Sequence, residues 1–211
     1  MTQPFFRTIL GDIFLDQIRL VLPHEHLFTD LRGPEVSDYA QADSGLVSAA
    51  IVPLLRSAEE KGVTALVECS TMGVGRNIAI LRELAARTRI HLLAPTGIYK
   101  EAYTPAIYRD KSADDMAELF VLELTKAIGI TNIKAGFIKI GLSDDGPTPL
   151  EVRNIRAAAR ASKSTDAAIA CHTIGGKAAM QTLSVLSDEG ADFSKFIWVH
   201  ADSEPDRQVH L

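Results

Sequence analysis

Leu22-Pro23-His24-Glu25-His26 sets two imidazoles two residues apart at the end of an apolar run. If that run is a strand, its side chains alternate, so His24 and His26 share one face and Glu25 takes the other. Two imidazoles on one face can chelate a metal ion; they can equally be two solvated or hydrogen-bonded histidines. His172 closes Ala168-Ile169-Ala170-Cys171-His172, and His200 closes Ile197-Trp198-Val199-His200. Four of the 6 histidines therefore stand at the ends of apolar runs. His91, which starts a run, and His210, near the C-terminus, are expected to have no role. Imidazole suits Zn, Fe, Ni and Co, so convergence of the four would make a transition-metal site.

Lys139 is the second chemical anomaly, in the apolar run Gly136-Phe137-Ile138-Lys139-Ile140-Gly141. Burial disfavours an ammonium and lowers its pKa, so the residue needs a reason to be there. An ion pair, a Schiff-base nucleophile and a carbamate formed with carbon dioxide are the three available. Beside four histidines the carbamate is the most economical, because it replaces a cation that would repel metal ions with an anion able to bridge two of them.

These residues meet only if the runs are parallel strands whose carboxyl ends converge. The candidate strands are Leu20 to Leu22, Thr64 to Cys69, His91 to Thr96, Gly136 to Gly141, Ala167 to His172 and Phe196 to His200, separated by amphipathic helical stretches. Thr148-Pro149-Leu150-Glu151 reads as a capping box with proline at the first helical position. Ser44 and Ser112 are further candidate caps, and Gly62, Gly129 and Gly190 are expected at helix ends. The spacing, about 35 residues per unit, approaches that of an eight-unit barrel. The fold class expected is α/β, a TIM (β/α)8-type barrel of which about six βα units are present, as one domain over residues 1–211 that is incomplete at its C-terminus. Ile9-Leu10-Gly11-Asp12-Ile13 looks like a short hairpin that could cover the barrel bottom.

The chain has 211 residues, 46% hydrophobic and 23% charged, with a formal net charge of -5. That balance lacks the basic face a nucleic acid or an anionic membrane demands. No run reaches the ~18 apolar residues of a spanning helix. The charged N-terminus does not read as a secretory signal, so a cytoplasmic location and a small-molecule partner are expected, with a homodimer possible. Cys69 and Cys171 form no Cys-x-x-Cys pair and are expected to be reduced core thiols.

Leu22-Pro23-His24-Glu25-His26-Leu27-Phe28, Gly73-Val74-Gly75-Arg76-Asn77, Thr96-Gly97-Ile98-Tyr99, Ile138-Lys139-Ile140, Cys171-His172-Thr173 and Val199-His200-Ala201-Asp202 follow one another in order. In this the chain resembles the phosphotriesterase-related proteins of the amidohydrolase superfamily over nearly its whole length. The resemblance implies a binuclear centre of two divalent ions, zinc first among the candidates. His24 and His26 would hold the more buried ion, His172 and His200 the more exposed one, with a carboxylated Lys139 bridging them. It implies hydrolysis of lactones, esters or phosphotriesters by a water whose pKa the two ions lower. Tyr99 resembles the tyrosine that lines the pocket in the lactonase branch. Glu68 and Asp202 are candidates to orient ligand imidazoles by accepting their second N–H. The family's aspartate from the eighth strand, a ligand and proton acceptor, would lie beyond Leu211, so the chain is expected to be a fragment or truncated product.

Three rival readings accompany this one. A Schiff-base aldolase would use Lys139 but leaves four histidines unexplained. A non-catalytic relative would keep only part of the metal site. A dinucleotide loop at Gly73-Val74-Gly75 fails because Ile78 occupies the third glycine position. Gly175-Gly176-Lys177 lacks the earlier glycine of a phosphate loop, although a helix start there could hold an anionic group.

Overall fold

The computed structural model describes residues 5–210. It opens with an antiparallel hairpin, β1 (Phe5–Thr8) and β2 (Gly11–Phe14). Strands and helices then alternate: β3 (Leu20–Glu25), α1 (Ser44–Glu60), β4 (Val63–Glu68), α2 (Ile78–Ala85), β5 (His91–Leu93) and β6 (Pro95–Thr96). The order continues through α3 (Ala106–Arg109), α4 (Ala113–Thr125), β7 (Phe137–Gly141), α5 (Pro149–Thr165), β8 (Ile169–His172), α6 (Gly176–Asp188) and β9 (Phe196–Val199). From β3 onward every strand pairing is parallel, in the order β3-β4-β5 and β6-β7-β8-β9. This is the α/β architecture of a TIM-type barrel, with six βα strand positions among the described residues.

All six expected strands exist, with corrections at their ends. The run His91 to Thr96 is two strands rather than one. Its first half pairs with β4 and its second with β7, and at the break the Ala94 carbonyl accepts from Gly136 N at 2.9 Å. Such stagger between neighbours is what closing a sheet into a barrel requires. Asp43, not Ser44, caps α1, its carboxylate accepting from Leu46 N at 2.9 Å. Ser112 and Thr148 cap as expected, each with a reciprocal capping box. Gly129 ends no helix, because α4 stops at Thr125.

Alternation along the strands sorts the core into two layers. On β7 and β8, Ile138, Ile140, Ile169 and Cys171 pack with the helices, against buried partners such as Ile155, Ala158 and Phe120. Phe137 and Ala170 face the other way, joining Cys69, Leu93 and Val199 in a smaller interior cluster. Lys139 has the parity of Phe137, and His172 that of Ala170, so both belong to the interior face. The hairpin lies at the opposite end from these residues. Phe6 packs against the interior cluster, Ile9 N donates to the Leu92 carbonyl at 2.8 Å, and Arg7 reaches the Leu124 carbonyl at 2.6 Å. It covers the barrel bottom, as its sequence suggested. No helix among the described residues is long and apolar enough to cross a membrane.

Two ionic clusters tie the outer layer together. Arg76, in the loop after β4, makes paired bonds of 2.6 and 2.7 Å to Glu123 of α4, and Thr96 Oγ1 donates to the same carboxylate at 2.5 Å. Both ionic side chains are almost wholly buried. Removing one partner strands the other charge in low dielectric. Glu123→Ala is expected to lower unfolding stability by about 3 kcal/mol in urea titrations.

The second cluster joins Glu189, at the end of α6, to Arg156 and Arg160 of α5, with Asp114 of α4 on Arg160. The Arg160 hydrogen bond, aided by Arg156, holds the Glu189 carboxyl at about 2, against an ordinary 4.5. Because the folded value lies below the unfolded one, the stabilisation is full above pH 4.5 and disappears as pH falls toward 2. Glu189→Gln should therefore cost about 1 kcal/mol at pH 7, discounted for screening. Its denaturation midpoint should converge on that of the parent as pH drops through this window.

Candidate metal centre

Four histidines meet at the carboxyl end of the sheet. The His24 and His26 Nε2 atoms are 3.1 Å apart. The His24 ring centroid lies 5.0 Å from that of His200, which lies 4.7 Å from that of His172. β3 and β9 are the first and last strands of the parallel array, each at an edge and not paired with each other, so the His24–His200 contact requires the array to curl. Lys139, 1% exposed, rises from β7 toward the same group. Its Nζ is 5.7 Å from the Tyr99 ring, and that ring is 5.2 Å from His172.

Plain alternation does not deliver all of these side chains. On β9 the interior residues are Ile197 and Val199, which would turn His200 outward. His200 adopts φ 68, ψ 27, a left-handed conformation uncommon for a residue with a Cβ, and this reverses the chain so that the ring comes inward. On β3 the register slips between Leu22 and Glu25, which oppose Leu66 and Glu68. Three steps on β3 match two on β4, a bulge that re-aims the side chains within it. Both edge strands thus use a local irregularity to present a histidine.

The electrostatics of the cluster disfavour protons on His24, His26 and His172. Burial, followed by the Lys139 charge and the neighbouring imidazoles, lowers His24 from 6.5 to about 4. Burial and then Lys139 take His172 to about 3, and the same two causes lower His26. Burial likewise pushes the Lys139 amine down from its ordinary value. Its one hydrogen bond among the described residues is a long 3.4 Å contact to the Ile140 carbonyl. His172 Nε2 is buried with no partner. Neutral imidazoles with free lone pairs are the form that binds metal. The separation of His24 and His26 is close to the about 3.3 Å that two nitrogens span on a tetrahedral zinc ion. Among the described residues no three His, Cys, Asp or Glu side chains form a group that could hold an ion. The donors brought together are four imidazoles beside the buried Lys139, and imidazole chemistry fits a transition-metal ion.

Glu68 stands where an outer support should. It is fully buried, accepting from Leu27 N at 2.6 Å and Ser70 N at 2.7 Å, 3.9 Å from His26 Nδ1. Burial raises its carboxyl to about 7. Ser70, which sequence reasoning did not single out, makes the closer contact to His26 Nδ1, 2.9 Å through Oγ. Its position just past the end of β4 was the signal available. Asp202 lies apart: it is exposed in the turn after β9, and no hydrogen bond among the described residues joins it to an imidazole. His210 stacks on Trp198, 5.2 Å between centroids, away from the cluster. Cys69 and Cys171 are free and buried, and burial raises both thiols, to about 12 and about 11.

The surrounding loops explain the glycine motifs. A Cβ on Gly73 would come within 2.1 Å of the Tyr103 carbonyl, and one on Gly75 within 2.3 Å of Asp30 N. Both glycines have positive φ. The Gly73-Val74-Gly75 segment is therefore a wedge between two neighbouring loops, with Asn77 capping α2 and donating to the Ala40 carbonyl at 2.9 Å. At the start of α6, Glu204 already accepts from Gly176 N at 2.6 Å. That corrects the expectation of an anion site there, because the chain's own carboxylate occupies it.

Comparison with known proteins agrees with the fold. A family model described as "Phosphotriesterase family" matches residues 4–210. A phosphotriesterase homology protein of Escherichia coli (strain K12) is 31% identical over 188 residues, covering 89% of this chain and 63% of its own length. An aryldialkylphosphatase of Saccharolobus solfataricus is 32% identical over 186 residues, 87% of this chain and 59% of its own. A crystal structure of a mutant PTE-like lactonase from Deinococcus radiodurans aligns with a TM-score of 0.86 at 29% identity, over 97% of this chain and 66% of that one. The chain thus spans less than two thirds of the length of these relatives. With the ordered histidines and lysine on one barrel mouth and the family match running almost end to end, the chain belongs to the phosphotriesterase family.

Proposed function

We propose that the protein is a metal-dependent hydrolase cleaving a lactone, another ester or a phosphotriester at a centre of two divalent ions, zinc first among the candidates. The observation that carries the reading is the meeting of His24, His26, His172 and His200 around a buried Lys139, with His172 Nε2 unpartnered. His24 and His26 would hold one ion, His172 and His200 the other, and a carboxylated Lys139 would bridge them. Such ions supply Lewis acidity toward a carbonyl or phosphoryl oxygen and acidify water. The relatives named as a lactonase and an aryldialkylphosphatase support the substrate classes.

The chain's own residues have separable tasks. Burial favours the neutral Lys139 amine; attack of its lone pair on carbon dioxide would form an N–C bond as one C–O π bond opens onto oxygen, and transfer of the nitrogen proton to water would leave the carbamate anion. Ser70 fixes the His26 ring, and Glu68 fixes the backbone of Leu27, next to that histidine, and of Ser70. Tyr99 and Tyr103, 5.5 Å apart, wall the mouth beside His172 and orient a substrate there. A small-molecule partner and a cytoplasmic location complete the proposal, supported by the acidic composition.

Elemental analysis and turnover of the full-length protein test this together. His24→Ala and Lys139→Ala are each expected to remove bound metal and to lower kcat/KM on lactone or aryl phosphotriester substrates by at least about 100-fold. Metal content equal to that of the parent in both variants would overturn the assignment.

A further inference from the structure

We infer that Glu151 is a positioning residue for the substrate pocket: it fastens the loop after β6 to the loop after β7 and thereby sets the Tyr99 ring against His172. For its effect on turnover the inference rests on the hydrolase reading above. Glu151 is the third residue of α5 and is fully buried. One oxygen accepts from Glu101 N and from Ser143 Oγ, both at 2.9 Å; the other accepts from Ser143 N and Thr148 N, both at 3.0 Å. A capping box needs only the bond to Thr148. The other three reach out to two loops at the barrel mouth, and they fill the remaining acceptor capacity of the carboxylate.

The residues that fix the ring adjoin those contacts. Tyr99 is two residues before Glu101, and Gly141, the last residue of β7, is two residues before Ser143. The Tyr99 ring lies flush over Gly141, where a Cβ would come within 2.4 Å of its Cδ2. A small change in the separation of the loops must therefore move the ring. A second fastening, Lys100 to Asp144 at 2.6 Å, spans the same loops, but Asp144 is 56% exposed. Exposed pairs contribute little. Four bonds to a dry carboxylate are the stronger constraint, since losing it would also strand three backbone N–H groups.

The test compares Glu151→Gln with Asp144→Asn in the full-length protein, carrying 13C-labelled tyrosine. The described chain has 4 tyrosines, and Tyr99→Phe identifies the Tyr99 signal. Glu151→Gln keeps the side-chain shape but turns an amide NH2 toward backbone donors. It is expected to shift the Tyr99 resonance, to raise KM about tenfold with kcat within about threefold, and to leave metal content unchanged. Asp144→Asn should shift the resonance less. If Glu151→Gln does not fold, Ser143→Ala, which deletes one of the four bonds, decides the matter by a smaller shift of the same signal. An unmoved Tyr99 resonance in a folded Glu151→Gln or Ser143→Ala protein overturns the inference, as does a larger shift from Asp144→Asn. A parent protein with no turnover would instead overturn the hydrolase reading, and the resonance would still decide the role of Glu151.

Discussion

A lysine amine buried in the middle of a parallel sheet, with no carboxylate among the described residues bonded to it, is the constraint on which the site depends. Lys139 is as buried as the isoleucines beside it, and its surroundings are imidazoles, thiols and an aromatic ring. Keeping a full positive charge there would cost several kcal/mol, on the order of a broken buried ion pair. The neighbourhood responds as that constraint requires: the Lys139 charge lowers His24, His26 and His172, and burial lowers Lys139 itself. A cluster in which His24, His26, His172 and Lys139 are pushed toward neutrality is poised to receive cations, and conversion of the amine to an anion completes it.

Topology supplies the convergence, and local strain supplies the aim. Parallel strands in sequential order bring their carboxyl ends to one mouth, and alternation places Lys139 and His172 inward without further help. The two edge strands need a bulge at His24 and a left-handed residue at His200 to do the same. The bonds that hold this arrangement lie mostly behind the site. Glu68 pins the chain beyond His26, Gly97 lets its backbone lie against the Lys139 carbonyl, where a Cβ would approach to 2.0 Å, and Glu123 locks the loop after β4.

Much of this was legible in the sequence, for a physical reason. A strand buried on both faces must be a short apolar run, so a histidine at its end or a lysine within it stands out, and five such residues point to one end of the sheet. Capping at Ser112 and Thr148 was equally local. What stayed hidden depends on partners remote in sequence. Ser70 acquires meaning only because His26 folds next to it, and Glu204 fills the α6 start from 28 residues away. The break at Ala94 reflects a change of strand partner, which no run of residues encodes. Asp202 lies two residues after His200, yet the left-handed turn that brings the ring inward leaves that carboxylate in solvent.

The fate of the Lys139 amine is the most direct test of the central claim. Carbon-13 NMR of the metal-loaded full-length protein, equilibrated with labelled bicarbonate, reads it without reference to any substrate. The account predicts one slowly exchanging carbamate resonance that is absent in Lys139→Ala. A protein that holds its metal ions and shows no such resonance would contradict it.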